Sequence, residues 1–263
     1  MGFFASSGIL NRRGFFGGVA TTAPFSPADI TGLSLWLKAD AGVTVSGASV
    51  TEWADQSGNG LDVVPDFAGA DITLASSVAK FNNKPAILFG VTNENGDVGL
   101  YNNNPFIGKS VFLVYSLESV SGFEYSVLYE NNGINTYTSY EGLDEPNRKF
   151  GGYFNGFFDS NTTSTLGTAY IRTVIADGDE EENDPLDFYI DGASDGSLVG
   201  GGFYNLRAAI VIGNGGARGA GPSPSINQPF QGYLAEVIVY DTVLTTPERE
   251  QVETYLNDKY EIY

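Results

Sequence analysis

The sequence has no cysteine and no histidine among its 263 residues, one methionine and two tryptophans. Without cysteine there are no disulfides and no thiolate metal sites. Without histidine the commonest general base and zinc ligand are missing. Ser-His-Asp and Cys-His nucleophilic arrangements and the His-Glu-x-x-His zinc site are therefore excluded. Charge is also scarce, at 17% of residues, and lopsided, with 13 Lys and Arg against 32 Asp and Glu and a net charge of −19. Phosphate would be repelled over most of such a surface, so nucleic acid is not an expected partner. No hydrophobic run is long enough to cross a membrane, and insertion is not expected. No internal repeat is evident.

What is present suits a β protein. The hydrophobic fraction is 42% and the aromatic fraction 13%, and 34 glycines supply turns between short strands. One helix stands apart, at the C-terminal end. Tyr233 to Tyr240 reads as a strand with at least one buried face. After it, Thr245 or Thr246 can cap a helix, Pro247 fits its first turn, and Glu248 and Glu250 lie near its positive pole. Val252, Tyr255, Leu256 and Tyr260 follow at helical spacing as an apolar stripe, with Lys259 near the negative pole.

The strand Gly232-Tyr-Leu-Ala-Glu-Val-Ile-Val-Tyr240 and the helix Glu248-Arg-Glu-Gln-Val-Glu-Thr-Tyr-Leu-Asn-Asp-Lys-Tyr260 together resemble the end of a laminin-G-like domain of the concanavalin A-like lectin and glucanase superfamily. Upstream segments are similar to such domains in the expected order: Leu33 to Asp40, Trp53 to Gly60, Phe81 to Phe89, Ser110 to Tyr115, Leu186 to Gly192 and Ala209 to Gly213. The resemblance covers about residues 31–263. It implies an all-β fold, a jelly-roll β-sandwich of two antiparallel sheets with a short C-terminal helix.

Residues 1–30 form a separate, extended arm. It is rich in glycine and phenylalanine, and Arg12 and Arg13 outnumber Asp29, so the negative charge lies in the remainder of the chain. Phe3, Phe4, Phe15 and Phe16, with Arg12 and Arg13, read as anchors seeking a groove. Gly2 and Ser6 match the permissive myristoylation pattern, and the apolar stretch after Arg13 is too short and glycine-broken for a signal peptide. The run from Gly8 to Gly18 resembles the starts of some tailed-phage virion proteins.

Catalysis on this fold would need paired carboxylates alternating on one strand, and no Glu-x-Asp-x-x-Glu strand occurs. Glu180, Glu181, Glu182 and Asp184 read as a solvated acidic turn, and Glu236 as a structural hydrogen bonder. Calcium needs only oxygen ligands, and Asp55, Asn59 and Asp62 offer them on a glycine-turned loop; the same letters also spell an Asx turn without metal. Asn132, Asn135, Tyr137 and Tyr140 form one amide and aromatic stretch suited to sugar, and Tyr101 with Asn102 to Asn104 forms another.

The resemblances imply a non-enzymatic virion component, a capsid decoration or cement protein or a fibre-like module. The arm would bind other virion proteins and the sandwich would project outward as a homo-oligomer, with host-surface glycans as candidate ligands. The alternatives are a secreted or cell-surface bacterial carbohydrate-binding module and a glycoside hydrolase. No cofactor is required on this reading, and calcium is a candidate.

Overall fold

In a computed structural model of the chain, the described residues are 24–65, 70–90, 99–104, 108–119, 125–131, 138–142, 149–153, 157–176, 185–199, 210–213 and 230–263. Within them the strands run β1 (Leu33–Lys38), β2 (Val43–Ser46), β3 (Ser49–Trp53), β4 (Val64–Pro65), β5 (Ile72–Val78), β6 (Lys84–Phe89), β7 (Leu100–Asn102), β8 (Ser110–Leu117) and β9 (Tyr125–Asn131). They continue as β10 (Thr138–Gly142), β11 (Lys149–Tyr153), β12 (Phe157–Thr163), β13 (Ala169–Ala176), β14 (Pro185–Ile190), β15 (Ala193–Val199), β16 (Ile210–Ile212) and β17 (Gly232–Tyr240), before helix α1 (Thr246–Tyr260).

The strands form two antiparallel sheets. The larger has the order β15-β14-β13-β8-β17-β6-β5-β3-β2, with β1 also paired to β17, and the smaller has β12-β11-β10-β9-β16-β7-β4. The expected all-β sandwich with a C-terminal helix is the fold observed. Among the described residues, no helix is long and apolar enough to cross a membrane.

The larger sheet is covered on both faces, which explains why β8 (Ser-Val-Phe-Leu-Val-Tyr-Ser-Leu) is buried at every position. Val111, Leu113, Tyr115 and Leu117 face the smaller sheet, together with Leu234, Val237 and Val239 of β17. Phe112 and Val114 point the other way, joining Ile238, Tyr240, Val252, Leu256 and Tyr260 in a second core under α1. The helix begins as its sequence suggests, with the Glu248 carboxylate accepting from the N–H of Thr245 (2.9 Å) and from its hydroxyl (2.7 Å). At the other end, the Asn257 Oδ1 accepts from the N–H groups of Ile262 and Tyr263, each at 2.9 Å.

Three details position the polar groups. Between Leu234 and Glu236 the register of β17 against β8 slips by one residue, a bulge that leaves Ala235 and Glu236 both on the helix side. At the same point the neighbour of β17 changes, from β6 at Gly232 to Leu234 to β1 at Glu236 to Tyr240. The sandwich also begins earlier than residue 31: Pro27–Asp29 form a 3₁₀ turn, the Tyr240 hydroxyl donates to the Pro27 carbonyl at 2.9 Å, and Ile30 belongs to the helix-side core. Residues 1–23 of the arm, with Phe3, Phe4, Arg12, Arg13, Phe15 and Phe16, lie outside the described residues.

Candidate functional site

Strand register brings the amide-rich stretches of the sequence to one end of the smaller sheet. Ile210 in β16 is flanked by Asn102 of β7 on one side and Asn131 of β9 on the other, so these three residues form one row across the sheet. Thr138, where β10 begins, pairs with Glu130 at the same end. Residues 132–137, including Asn132, Asn135 and Tyr137, lie outside the described residues, but Asn131 and Thr138 on either side of them lie at the same end of the sheet as Asn102, two and three strands away from it. Tyr140 lies on β10, opposite Val127 and Gly151 in register.

Beyond Asn102 the chain turns: the Asn104 N–H donates to the Asn102 Oδ1 at 2.8 Å, and Asn103 and Asn104 are exposed. The Asn102 side chain also donates to the Asp62 carbonyl at 2.6 Å, which joins this end of the sheet to the loop from Asp55 to Asp62. Two stretches some forty residues apart in sequence thus become one surface.

The Asp55 loop is held by its own polar groups. The Asp55 Oδ1 accepts from the N–H groups of Trp36 (3.0 Å) and Ser57 (2.8 Å), and its Oδ2 accepts from the Ser57 hydroxyl (2.7 Å) and the Leu61 N–H (3.2 Å). Asp62 Oδ1 accepts from the Asp55 N–H at 2.8 Å, and the Asn59 amide donates to the carbonyls of Leu33 and Ser34 at 3.0 and 2.9 Å. These bonds draw the Asx turn that the sequence offered as the alternative to a cation site. Both Asp55 oxygens face donors, and among the described residues no group of three or more carboxylates is gathered to hold a metal ion.

Three buried clusters carry charge among the described residues: Glu236 with Lys259, Arg172 with Asp195, and Arg249 with Glu253 on α1. Glu236 is fully buried, and both of its oxygens are occupied: Oε1 accepts from Trp36 Nε1 (2.6 Å) and the Tyr255 hydroxyl (3.0 Å), Oε2 from Lys259 Nζ (2.8 Å) and the Tyr260 hydroxyl (2.8 Å). Lys259 also reaches Asp40 at 3.0 Å, so one ammonium serves two carboxylates. Burial, reinforced by the Glu236 charge, pushes the Tyr255 and Tyr260 phenols well above their ordinary value, which keeps them protonated as donors.

The second cluster lies between the sheets. Arg172 pairs with Asp195 at 2.5 Å, donates to Ser164 at 3.0 Å, and lies 5.2 Å from the Phe150 ring and 5.1 Å from that of Tyr170. Sugar hydrolysis needs two carboxyl groups that meet the substrate across the scissile bond. Asp195 and Glu236 are sealed, and the donors around them already fill their oxygens. These clusters tie elements together and offer no such pair. Sequence reasoning found Glu236 but missed Arg172 and Asp195, since an arginine inside a β-branched strand gives no local sign of where its partner lies.

Two packed antiparallel sheets with one C-terminal helix define a β-sandwich. No protein-family model matches the sequence, and no curated protein matches it. Solved structures are similar in fold. Domain 4 of the extracellular arabinanase AbnA of Geobacillus stearothermophilus, solved with arabinotriose, superposes with a TM-score of 0.54 at 16% identity, over 84% of this chain and 98% of that domain. Trypanosoma rangeli sialidase matches with a TM-score of 0.54 at 12% identity, over 87% of this chain and 33% of that one. A botulinum neurotoxin type C structure, described for its interaction with two ganglioside molecules, gives 0.56 at 10% identity over 87% of this chain and 52% of that one. The chain thus spans only a third of the sialidase and about half of the toxin chain, but nearly all of the arabinanase domain.

Proposed function

We propose that the sandwich is a non-catalytic glycan-binding module whose contact surface is the end of the smaller sheet bearing Asn102 to Asn104 and the β9–β10 connection. The observation that carries this reading is the match in fold to a whole, separately solved domain of an arabinanase in complex with arabinotriose. The exposed amides of Asn103 and Asn104 provide paired donors and acceptors of the kind that orient sugar hydroxyls. The net charge of −19 favours neutral sugars over anionic ones. Single-site affinity resting on a few exposed amides is weak, so function rests on several copies acting together.

The test is a glycan array probed with the biotinylated chain on tetrameric streptavidin. The expected result is binding to neutral saccharides that Asn103→Ala with Asn104→Ala weakens about tenfold or more while the melting temperature holds. A blank array at that valency overturns the glycan reading. Release of reducing sugar from a bound polysaccharide overturns the non-catalytic one.

A second reading concerns setting, and the arm sequence favours it. Paired phenylalanines in a glycine-rich segment beside Arg12 and Arg13 suit attachment to a larger particle, and the likeness to starts of tailed-phage virion proteins supports a virion as that particle. On this reading the sandwich is displayed outward as a decoration or fibre-like module. Co-assembly of tagged chain with virion proteins, lost on removal of residues 1–23, is the expected outcome; retention without them counts against it.

A further inference from the structure

Along the outer side of α1 runs an open groove of about 740 Å3. Its apolar surface comes from Pro24, Phe25, Pro247 and Tyr255, and its polar rim includes Glu250 and Asp258. The Phe25 ring meets the Tyr255 ring edge-on at 6.3 Å, so the chain enters the described structure already lying in this groove. The stretch just before it is Arg12-Arg13-Gly-Phe15-Phe16-Gly-Gly-Val-Ala-Thr-Thr-Ala23.

We infer that this groove is the docking site of residues 12–23 of the same chain, with Phe15 and Phe16 on its apolar floor and Arg12 and Arg13 against Glu250 and Asp258. Three features carry the assignment. The first is reach: the seven residues between Phe16 and Pro24 extend up to ~23 Å, comparable with the ~22 Å length of a fifteen-residue helix, so Phe16 can meet any part of α1.

The second is charge. Lys259, the cation lining the groove, is committed to Glu236 and Asp40. Glu250 has only the 3.2 Å contact with Arg249, which Glu253 also holds, and Asp258 has no ion-pair partner among the described residues. The arm brings two arginines and no acid before Asp29. The third is chemistry: two adjacent phenylalanines are costly to leave in water, and the Phe25 ring, nine residues beyond Phe16, already lies on the apolar surface of this groove. An arm stowed in this way hides its phenylalanines until a partner competes for them. The inference is independent of whether the sandwich binds sugar.

The absence of cysteine makes the test clean. In the full chain, Val19→Cys is combined with Gln251→Cys on the groove side of α1, or with Thr51→Cys at an exposed position on β3. Both pairs are treated with a short thiol-reactive cross-linker at low protein concentration. The expected result is an intrachain product that forms at least tenfold faster with position 251 than with position 51. That preference should disappear when Phe15→Ser and Phe16→Ser are added. Equal rates at the two positions overturn the inference, as does a preference that survives loss of both phenylalanines. A covalent dimer in place of the monomeric product would give the groove to the arm of a second copy and overturn the assignment to its own.

Discussion

Glu236 is the residue on which the helix-side core depends. A buried carboxylate is tolerated only when its lone pairs are filled, and here two tyrosines, a tryptophan and a lysine fill them. Replacing Glu236 by Ala leaves the Lys259 ammonium with only Asp40, the Trp36 and Tyr255 donors without that acceptor, and the Tyr260 hydroxyl with only the Ala235 carbonyl at 3.4 Å. The expected cost is about 3–5 kcal/mol, read as a lower urea midpoint by tryptophan fluorescence, with Glu236→Gln losing less because one carbonyl acceptor remains. A midpoint unchanged in the alanine variant would remove Glu236 from this role.

Glu253 behaves differently. It accepts from Thr173 at 2.9 Å and from Arg249, which itself stacks 4.0 Å from the Tyr189 ring. Burial raises its carboxyl above the ordinary 4.5, against the opposing pull of Arg249. The folded state therefore holds this proton more tightly than the unfolded one. Its stabilising effect grows as pH falls from the raised folded value toward 4.5 and is lost as pH rises through that folded value. Compared with Glu253→Gln, the native chain should gain stability as pH is lowered toward 4.5, measured by urea unfolding. A difference that stays flat, or that favours the variant as pH falls, contradicts this.

At the scale of elements, β17 and α1 explain both what the sequence made plain and what it concealed. The strand and helix were readable because each carries its own signal: β-branched and aromatic residues in one, a proline-led start and an apolar stripe in the other. Val252, Leu256 and Tyr260 are buried as the spacing implies. Arg249 and Glu253 are buried on the same face, although charged residues at those positions read as surface. They are accommodated because Thr173 and Tyr189 arrive from β13 and β14, some sixty to eighty residues upstream, and no local pattern announces that meeting. The site was half legible for the same reason. The Asx geometry of the Asp55 loop is local, whereas its junction with Asn102, and the row from Asn102 to Asn131, follow from strand register.

The glycine that opens the β17 motif also has an element-scale cause. A Cβ on Gly232 would lie 2.1 Å from the Ser116 carbonyl oxygen of β8 and 2.8 Å from the Phe230 ring, so no side chain fits between these strands. Gly232→Ala must push β8 and β17 apart where β6 also pairs, at an expected cost of roughly 1–3 kcal/mol. A denaturant midpoint within error of the native one would show that the strands yield freely.

For the molecule as a whole, the question is where the sandwich begins. Composition places a boundary near residue 30, because glycine and phenylalanine give way there to alternating strands. Packing places it earlier. Ile30 is 7% exposed in the core under α1, Pro27 is buried, and its carbonyl is the acceptor for the fully buried Tyr240 hydroxyl. Burial already pushes that phenol above its ordinary value, so it must keep its proton and needs the acceptor. A chain starting at Pro24 retains every core contact among the described residues and loses only the docked arm, so its unfolding free energy should fall by a modest amount, about 1–2 kcal/mol. A chain starting at Thr31 loses Ile30, the Phe25 contact with Tyr255 and the acceptor of Tyr240, at an expected cost of about 2–5 kcal/mol. Urea unfolding of the two truncations, followed by the fluorescence of the buried Trp36 and Trp53, separates the boundaries. Equal stability of the two would return the first seven described residues to the arm. A large loss in both would mean that residues 1–23 are themselves part of the folded unit, held most directly by the groove on α1.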